Sequence, residues 1–153
     1  MQPYVVAGAG FLLAVLWIDL IFDVQVLRHR GRGDLPEPVL ASIAGYYRRA
    51  TTDSQPMGRL VAAVMLATLA ALVLQAVAGD VAGWVTVVSL AAALTGVGLA
   101  GARVVRRAVR LGGRGDPPAD QSRLARSILQ DHLVCLAAMA TLLVVQLGWG
   151  SAG

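Results

Sequence analysis

Lysine is absent from this sequence: all 13 of its basic residues are arginine. Cysteine is nearly absent. Cys135 is the only one, so no intrachain disulfide can form and no CxxC metal or redox motif exists. It sits in an apolar run, where a thiol behaves as a small hydrophobe. Charge is scarce as well. Charged residues make up 14% of the chain and apolar residues 57%, against roughly 25% and 45–50% in a soluble domain. That deficit excludes an ordinary soluble domain. A pI near 10.2 points to nucleic acid on charge alone. No recognition motif accompanies the charge, and the arginines flank apolar runs, so nucleic acid is not an expected partner.

What is present is a set of long apolar runs. A spanning helix needs about 20 mainly apolar residues. Four segments meet this, at about 3–27, 57–78, 81–102 and 127–148. The first has no basic residue before it and no convincing cleavage site, so it reads as a retained helix and not as a signal peptide. The expected fold is all-α: one membrane domain over residues 1–153, built as a four-helix transmembrane bundle. A tight turn around Gly79, Asp80 and Gly83 makes the second and third spans an antiparallel hairpin.

Arginine placement sets the expected orientation. The connection at about 28–56 and its flank carry Arg28, Arg30, Arg32, Arg48, Arg49 and Arg59. The connection at about 103–126 carries Arg103, Arg106, Arg107, Arg110, Arg114, Arg123 and Arg126. By the positive-inside rule both connections are cytoplasmic and both termini are not. Tyr4, Trp84 and Trp149 then fall at the outer interface, where aromatic belts occur. The expected location is a cytoplasmic (plasma) membrane, with membrane lipids as partners.

The first connection is expected to carry a short amphipathic helix lying in the membrane interface. Val39, Leu40, Ile43 and Tyr47 recur at helical spacing after Pro36 and Pro38, and Arg48 and Arg49 end the stretch. Tyr46, Arg48 and Arg49 form a candidate grip for a phosphate or lipid headgroup, and equally a plain anchor for that helix. The fourth helix can start early, with Asp120 as N-cap, which would set Arg123 and Arg126 at the headgroups. Gly31 to Pro36 resembles Gly113 to Pro118, both reading Gly-Arg-Gly-Asp-x-Pro. This is either a duplicated hairpin or convergent turn chemistry.

Ionisable residues within apolar spans are costly and mark candidate sites. Asp19 and Asp23, four residues apart, share one face of the first helix. Asp19 lies about 13 Å along the helix from Arg28 at 1.5 Å per residue. Asp131 and His132 lie at a similar depth on the fourth helix, just past Arg126. If the two helices are neighbours, these four groups form one polar layer opening toward the cytosol. Such a layer can bind a divalent metal, relay protons or divide acid and base roles. The bland alternative is ion pairing, of Asp23 with Arg30 or Arg59, and of Asp131 with Arg126 or an arginine of the first connection. Asp53 and its threonines can cap the second span or close the layer from below. Gln75 and Gln146 can hydrogen-bond across helices or snorkel.

The third span is crowded with Gly96, Gly98, Ala100, Gly101 and Ala102. Small residues four apart permit close helix approach, within the bundle or in a homo-oligomer or larger complex. The function expected first is binding or moving an ion, proton or small solute at Asp19, Asp23, Asp131 and His132. An intramembrane enzyme acting on a lipid, with a divalent metal as its possible cofactor, is the alternative. A non-catalytic subunit of a membrane complex comes third. Between the layer and the outer face stand only Thr68, Gln75, Thr86, Ser89, Thr141 and Gln146, too few for an open pore.

Overall fold

The computed structural model describes residues 1–29, 31, 33–53, 55–79 and 81–150, so Arg30, Arg32 and Asp80, named above, lie outside the described residues. The described elements are all helical, and no strand occurs among them. Four helical stretches are long and apolar enough to cross a membrane: Gln2–His29, Pro56–Ala78, Gly83–Gly113 and Pro118–Trp149.

Helix α1 runs Gln2–Asp23 and tightens into a 3-10 turn over Val24–His29. Helix α2 spans Glu37–Arg48 and passes into a π-helical turn over Arg49–Asp53. Helix α3 is Gln55–Ala78. A turn at Gly79, whose φ of 71° suits glycine, leads to α4 at Gly83–Leu99. A second π-helical turn, Ala100–Val104, joins α4 to α5 at Val105–Gly113. Helix α6 then covers Pro118–Trp149 without interruption.

Two boundaries differ from those read in the sequence. The third apolar stretch continues past Ala102 to Gly113 because Val104, Ala108 and Leu111 keep a helical stripe that is buried. The fourth begins at Pro118, with Pro117 at the N-cap. Asp120 is therefore in the first turn and is not the cap: proline fits the first helical position, where its missing N–H costs nothing.

Packing follows a ring, in which α6 lies against α1 and α4, and α3 lies against α1 and α4 from the other side. Small residues set the close approaches. A Cβ on Gly8 would stand 2.0 Å from Thr68 Oγ1, and one on Gly96 would stand 2.6 Å from Met139 Cε. Gly96 thus serves packing within the bundle. Gly98 and Gly101 face open space, and Ala102 is exposed.

The arginine-rich end is closed by α2. Leu40, Ile43, Ala44 and Tyr47 turn into the protein against Ala108, Leu111 and Ile128. Burying Leu40 and Ile43 fully is worth about 1.5–3 kcal/mol each relative to exposure in water. A Cβ on Gly112 would lie 2.9 Å from the Arg48 backbone nitrogen, so α5 meets α2 nearly backbone to backbone.

Polar contacts fasten the connections. Arg126 donates to the carbonyls of Gly31 at 3.2 Å and Gly33 at 2.7 Å, and Leu35 N–H donates to Ser122 Oγ at 2.9 Å. Arg110 donates twice to Asp116 at 2.7 Å, which holds that carboxyl below the usual carboxylate range. Arg114 pairs with Glu37, and Arg123 with Asp120. The two Gly-Arg-Gly-Asp-x-Pro segments lead to different structures: the first precedes α2, a π turn and α3, and the second opens directly into α6.

Candidate functional site

Asp19 and Asp23 lie one turn apart on α1, and α6 brings His132 against them. Asp23 has no solvent exposure, and each of its oxygens has a partner. Tyr47 donates its hydroxyl to Asp23 Oδ1 at 2.7 Å, and His132 Nδ1 lies 2.6 Å from Asp23 Oδ2. A carboxylate only accepts, so Nδ1 carries the hydrogen and Nε2 is left free to accept or take up a proton. Tyr47 Oη also lies 3.4 Å from Nδ1; its hydrogen is already given to Asp23, so this is a close approach. Tyr46 donates to Asp19 Oδ1 at 2.5 Å, and His132 Nε2 stands 3.8 Å from Asp19 Oδ2.

The two tyrosines come from the last turn of α2, directly before the π turn. Thr51 in that turn donates back to the Tyr47 carbonyl at 2.7 Å. Phe22 stacks on Tyr46 with ring centroids 4.1 Å apart, and Tyr46 meets Tyr47 edge-on at 5.2 Å. Burial, and then the neighbouring carboxylates, push both phenols above the ordinary tyrosine range.

The layer forms the end of a cleft of about 290 Å³. Its other walls are apolar: Leu12, Val15 and Leu16 of α1, Val61 and Met65 of α3, Val97 and Val104 across from them, and Met139 of α6. Polar side chains appear only at one end, as Asp19, Tyr46, Tyr47, Thr51 and His132. The exposed lining residues are Met57, Gly58 and Ala62 on one side and Gly101 and Val105 on the other. The mouth therefore lies between α3 and the α4–α5 segment. Both π-helical turns border it, through Ala50 and Thr51 and through Ala100, Gly101 and Val104. Single π turns inside helices occur frequently at functional sites.

Asp131 does not join this layer. It is buried but turns toward the α4–α5 segment, where Arg107 reaches it at 2.5 Å and Arg103 at 3.5 Å. Arg107 also donates to Ser127 at 2.6 Å. Adjacent helical residues point about 100° apart, so Asp131 and His132 face different neighbours. Nor does Asp131 pair with Arg126, which is spent on carbonyls of the first connection. The grouping of Tyr46 with Arg48 and Arg49 also separates. Tyr46 faces the layer, whereas Arg48 and Arg49 are exposed, Arg48 lying 3.7 Å from Asp53.

The donor set bears on a metal. Both Asp23 oxygens, His132 Nδ1 and Asp19 Oδ1 are committed within the layer, which leaves Asp19 Oδ2 and His132 Nε2. Among the described residues, no three His, Cys, Asp or Glu side chains have an arrangement that could hold a metal ion. Cys135 lines the cleft, and its thiol lies 3.5 Å from the Gly96 carbonyl oxygen.

Leu12 and Met139 of the cleft wall pack with Leu72 and Leu142, and a second polar group lies toward the other end of the same helices. There Gln75 donates to Gln146 Oε1 at 3.2 Å, Gln146 donates to Ser89 at 2.9 Å, and Gln2 donates to the Gln146 carbonyl at 2.7 Å. Thr68 and Thr141 donate to carbonyls of their own helices. Trp84 and Trp149 meet edge-on at 5.4 Å at this end.

Sequence reading missed Tyr47 as the partner of Asp23 and Arg103 and Arg107 as the partners of Asp131. Tyr47 is on the buried stripe with Leu40 and Ile43, and that stripe was the available signal. Compared with known proteins, the chain matches no family model, no curated protein and no solved structure.

Proposed function

We propose that this chain crosses a membrane four times and binds a small, mainly apolar solute that enters its cleft from the bilayer. The solute meets a proton-exchanging layer made of Asp19, Asp23 and His132. The observation that carries this reading is the cleft itself: apolar walls, a mouth between two long apolar helices, and polar side chains only at one end. Pockets of this make-up, apolar with a few convergent polar groups, are the usual form of small-molecule sites.

Membrane insertion is supported by large apolar side chains exposed around the girth, among them Leu66, Val77, Val87 and Leu94. In water they would be costly; in lipid they are in their own medium. The arginines in the two long connections orient that end to the cytosol and the termini away from it. In this orientation α2 lies at the cytosolic interface, with Arg48 and Arg49 at headgroup level. The exposed face of Gly98 and Ala102 suits contact with a second copy.

An enzyme is the second reading. The observation favouring it is the buried Asp23 that fixes the His132 tautomer and leaves Nε2 toward Asp19 and the cleft, the arrangement of a general base.

The test of the cleft uses proteoliposomes and a membrane-dissolved alkyl diazirine. Photolabelling is expected to concentrate on 57–65 and 97–105 and to fall when Ala62→Trp fills the mouth. Equal labelling of every apolar exposed stretch, Val73 to Val77 included, with no effect of Ala62→Trp, would contradict the reading.

A further inference from the structure

The hydrogen bonds and the charge balance of the layer together bear on the charge of its ligand. We infer that the cleft takes a lipophilic cation, an apolar body with one positive head, in exchange for a proton. This rests on the reading of the cleft as a solute site.

The donors in the layer are used up. Tyr46 gives its hydrogen to Asp19, Tyr47 to Asp23, His132 Nδ1 to Asp23, and Thr51 to a backbone carbonyl. What is left facing the cleft is acceptor capacity, at Asp19 Oδ2 and His132 Nε2. An anionic head would add a third negative charge beside the two carboxylates. A cationic head finds the carboxylate charge of Asp19 and these two open acceptors.

The charge balance agrees. Two carboxylates stand against one imidazole, so with both acids ionised the layer is negative in either state of His132. No arginine lines the cleft. Of the arginines beside the cleft-lining residues of the α4–α5 segment, Arg103 and Arg107 are held on Asp131 and Arg106 donates to the Ala102 carbonyl. The groups facing Asp19 are Asp23 on its own helix, Tyr46 and Tyr47 on α2, and His132 on α6. Helix α3 contributes no charged side chain to the cleft. An unpaired charge is costly to bury, so the empty layer takes up a proton at His132 Nε2, and an arriving cation displaces it to water. No bond other than that to the proton is made or broken.

Benzyltrimethylammonium tests this against neopentylbenzene, which has carbon in place of the charged nitrogen. Binding of each to the full chain in nanodiscs is measured by equilibrium dialysis between pH 5 and 8. Saturable binding of the cation is expected, weakening on acidification by up to about tenfold per pH unit, the limit for one exchanged proton. Asp19→Asn should weaken it at least about tenfold, Asp19→Glu should largely restore it, and Ala62→Trp should abolish it. Bound neopentylbenzene in Asp19→Asn shows that the cleft is intact. If the hydrocarbon binds as well as the cation and Asp19→Asn changes neither, the cation inference is overturned and the cleft reading stands. If neither probe saturates and Ala62→Trp has no effect, both fall.

Discussion

Removing the Tyr47 hydroxyl takes one donor from Asp23, a carboxylate with no access to water. Tyr47→Phe is expected to cost about 1–3 kcal/mol, the usual penalty for a buried group left short of a partner. Tyr46→Phe should cost less, because the Asp19 side chain keeps 16% of its surface exposed and that of Asp23 none. Thermal unfolding in detergent checks both. The same phenols give a pH signature. Their folded pKa lies above the unfolded value of about 10. Their contribution to stability is therefore complete below about pH 10 and is lost as pH rises beyond it. At pH 11, denaturation should add two tyrosinate absorbances; no gain would contradict the buried placement. At this scale the sequence was partly legible. Asp19, Asp23 and His132 stood out because ionisable groups are rare in apolar runs. The role of Asp131 was not legible, since a face is set by which helix lies alongside, and Arg103 and Arg107 are far from it in sequence. The tyrosine partners were hidden for the same reason.

Helix contacts depend on a few positions where no side chain fits. Gly8→Ala places a methyl group 2.0 Å from Thr68 Oγ1 and should destabilise the α1–α3 contact by about 1–3 kcal/mol. Thr68→Ala in the same chain should recover most of this loss in a thermal unfolding assay, since it removes the clashing atom. Additive losses in the double variant would contradict the close approach. Gly112→Ala meets the Arg48 backbone, which cannot turn aside. It should lift α2 from α5 and lower the pH at which Tyr46 and Tyr47 ionise, read in the same absorbance titration. Among elements, the long apolar helices and the α2 stripe were plain in the sequence because their periodicity is local. The π turns at Arg49–Asp53 and Ala100–Val104 were not: each lies at a junction between two helices, and no local periodicity marks it. The arginines of α5 make it read as connection, although Val104, Ala108 and Leu111 carry a helical stripe.

At the scale of the molecule, α1, α6, α4 and α3 enclose a cleft that no single segment announces. Its apolar character comes from residues that each resemble ordinary core, so composition pointed only to the polar end. The proposed orientation has its own test in a Cys135→Ala background. Ala82→Cys, in the turn before α4, should react with an impermeant maleimide on intact cells; Ala119→Cys should react only after permeabilisation. The reverse pattern would invert the topology. In the proposed function His132 exchanges the proton of the layer. Nitrogen NMR of labelled histidine, in bilayers and with His29→Gln so that His132 is the only one, reads this directly. The expected result is a ring that keeps its Nδ1 hydrogen throughout, an Nε2 that gains a proton on acidification and shifts with Asp19→Asn, and loss of the Nδ1 preference in Asp23→Asn. An Nε2-protonated ring, indifferent to both aspartates, would contradict it.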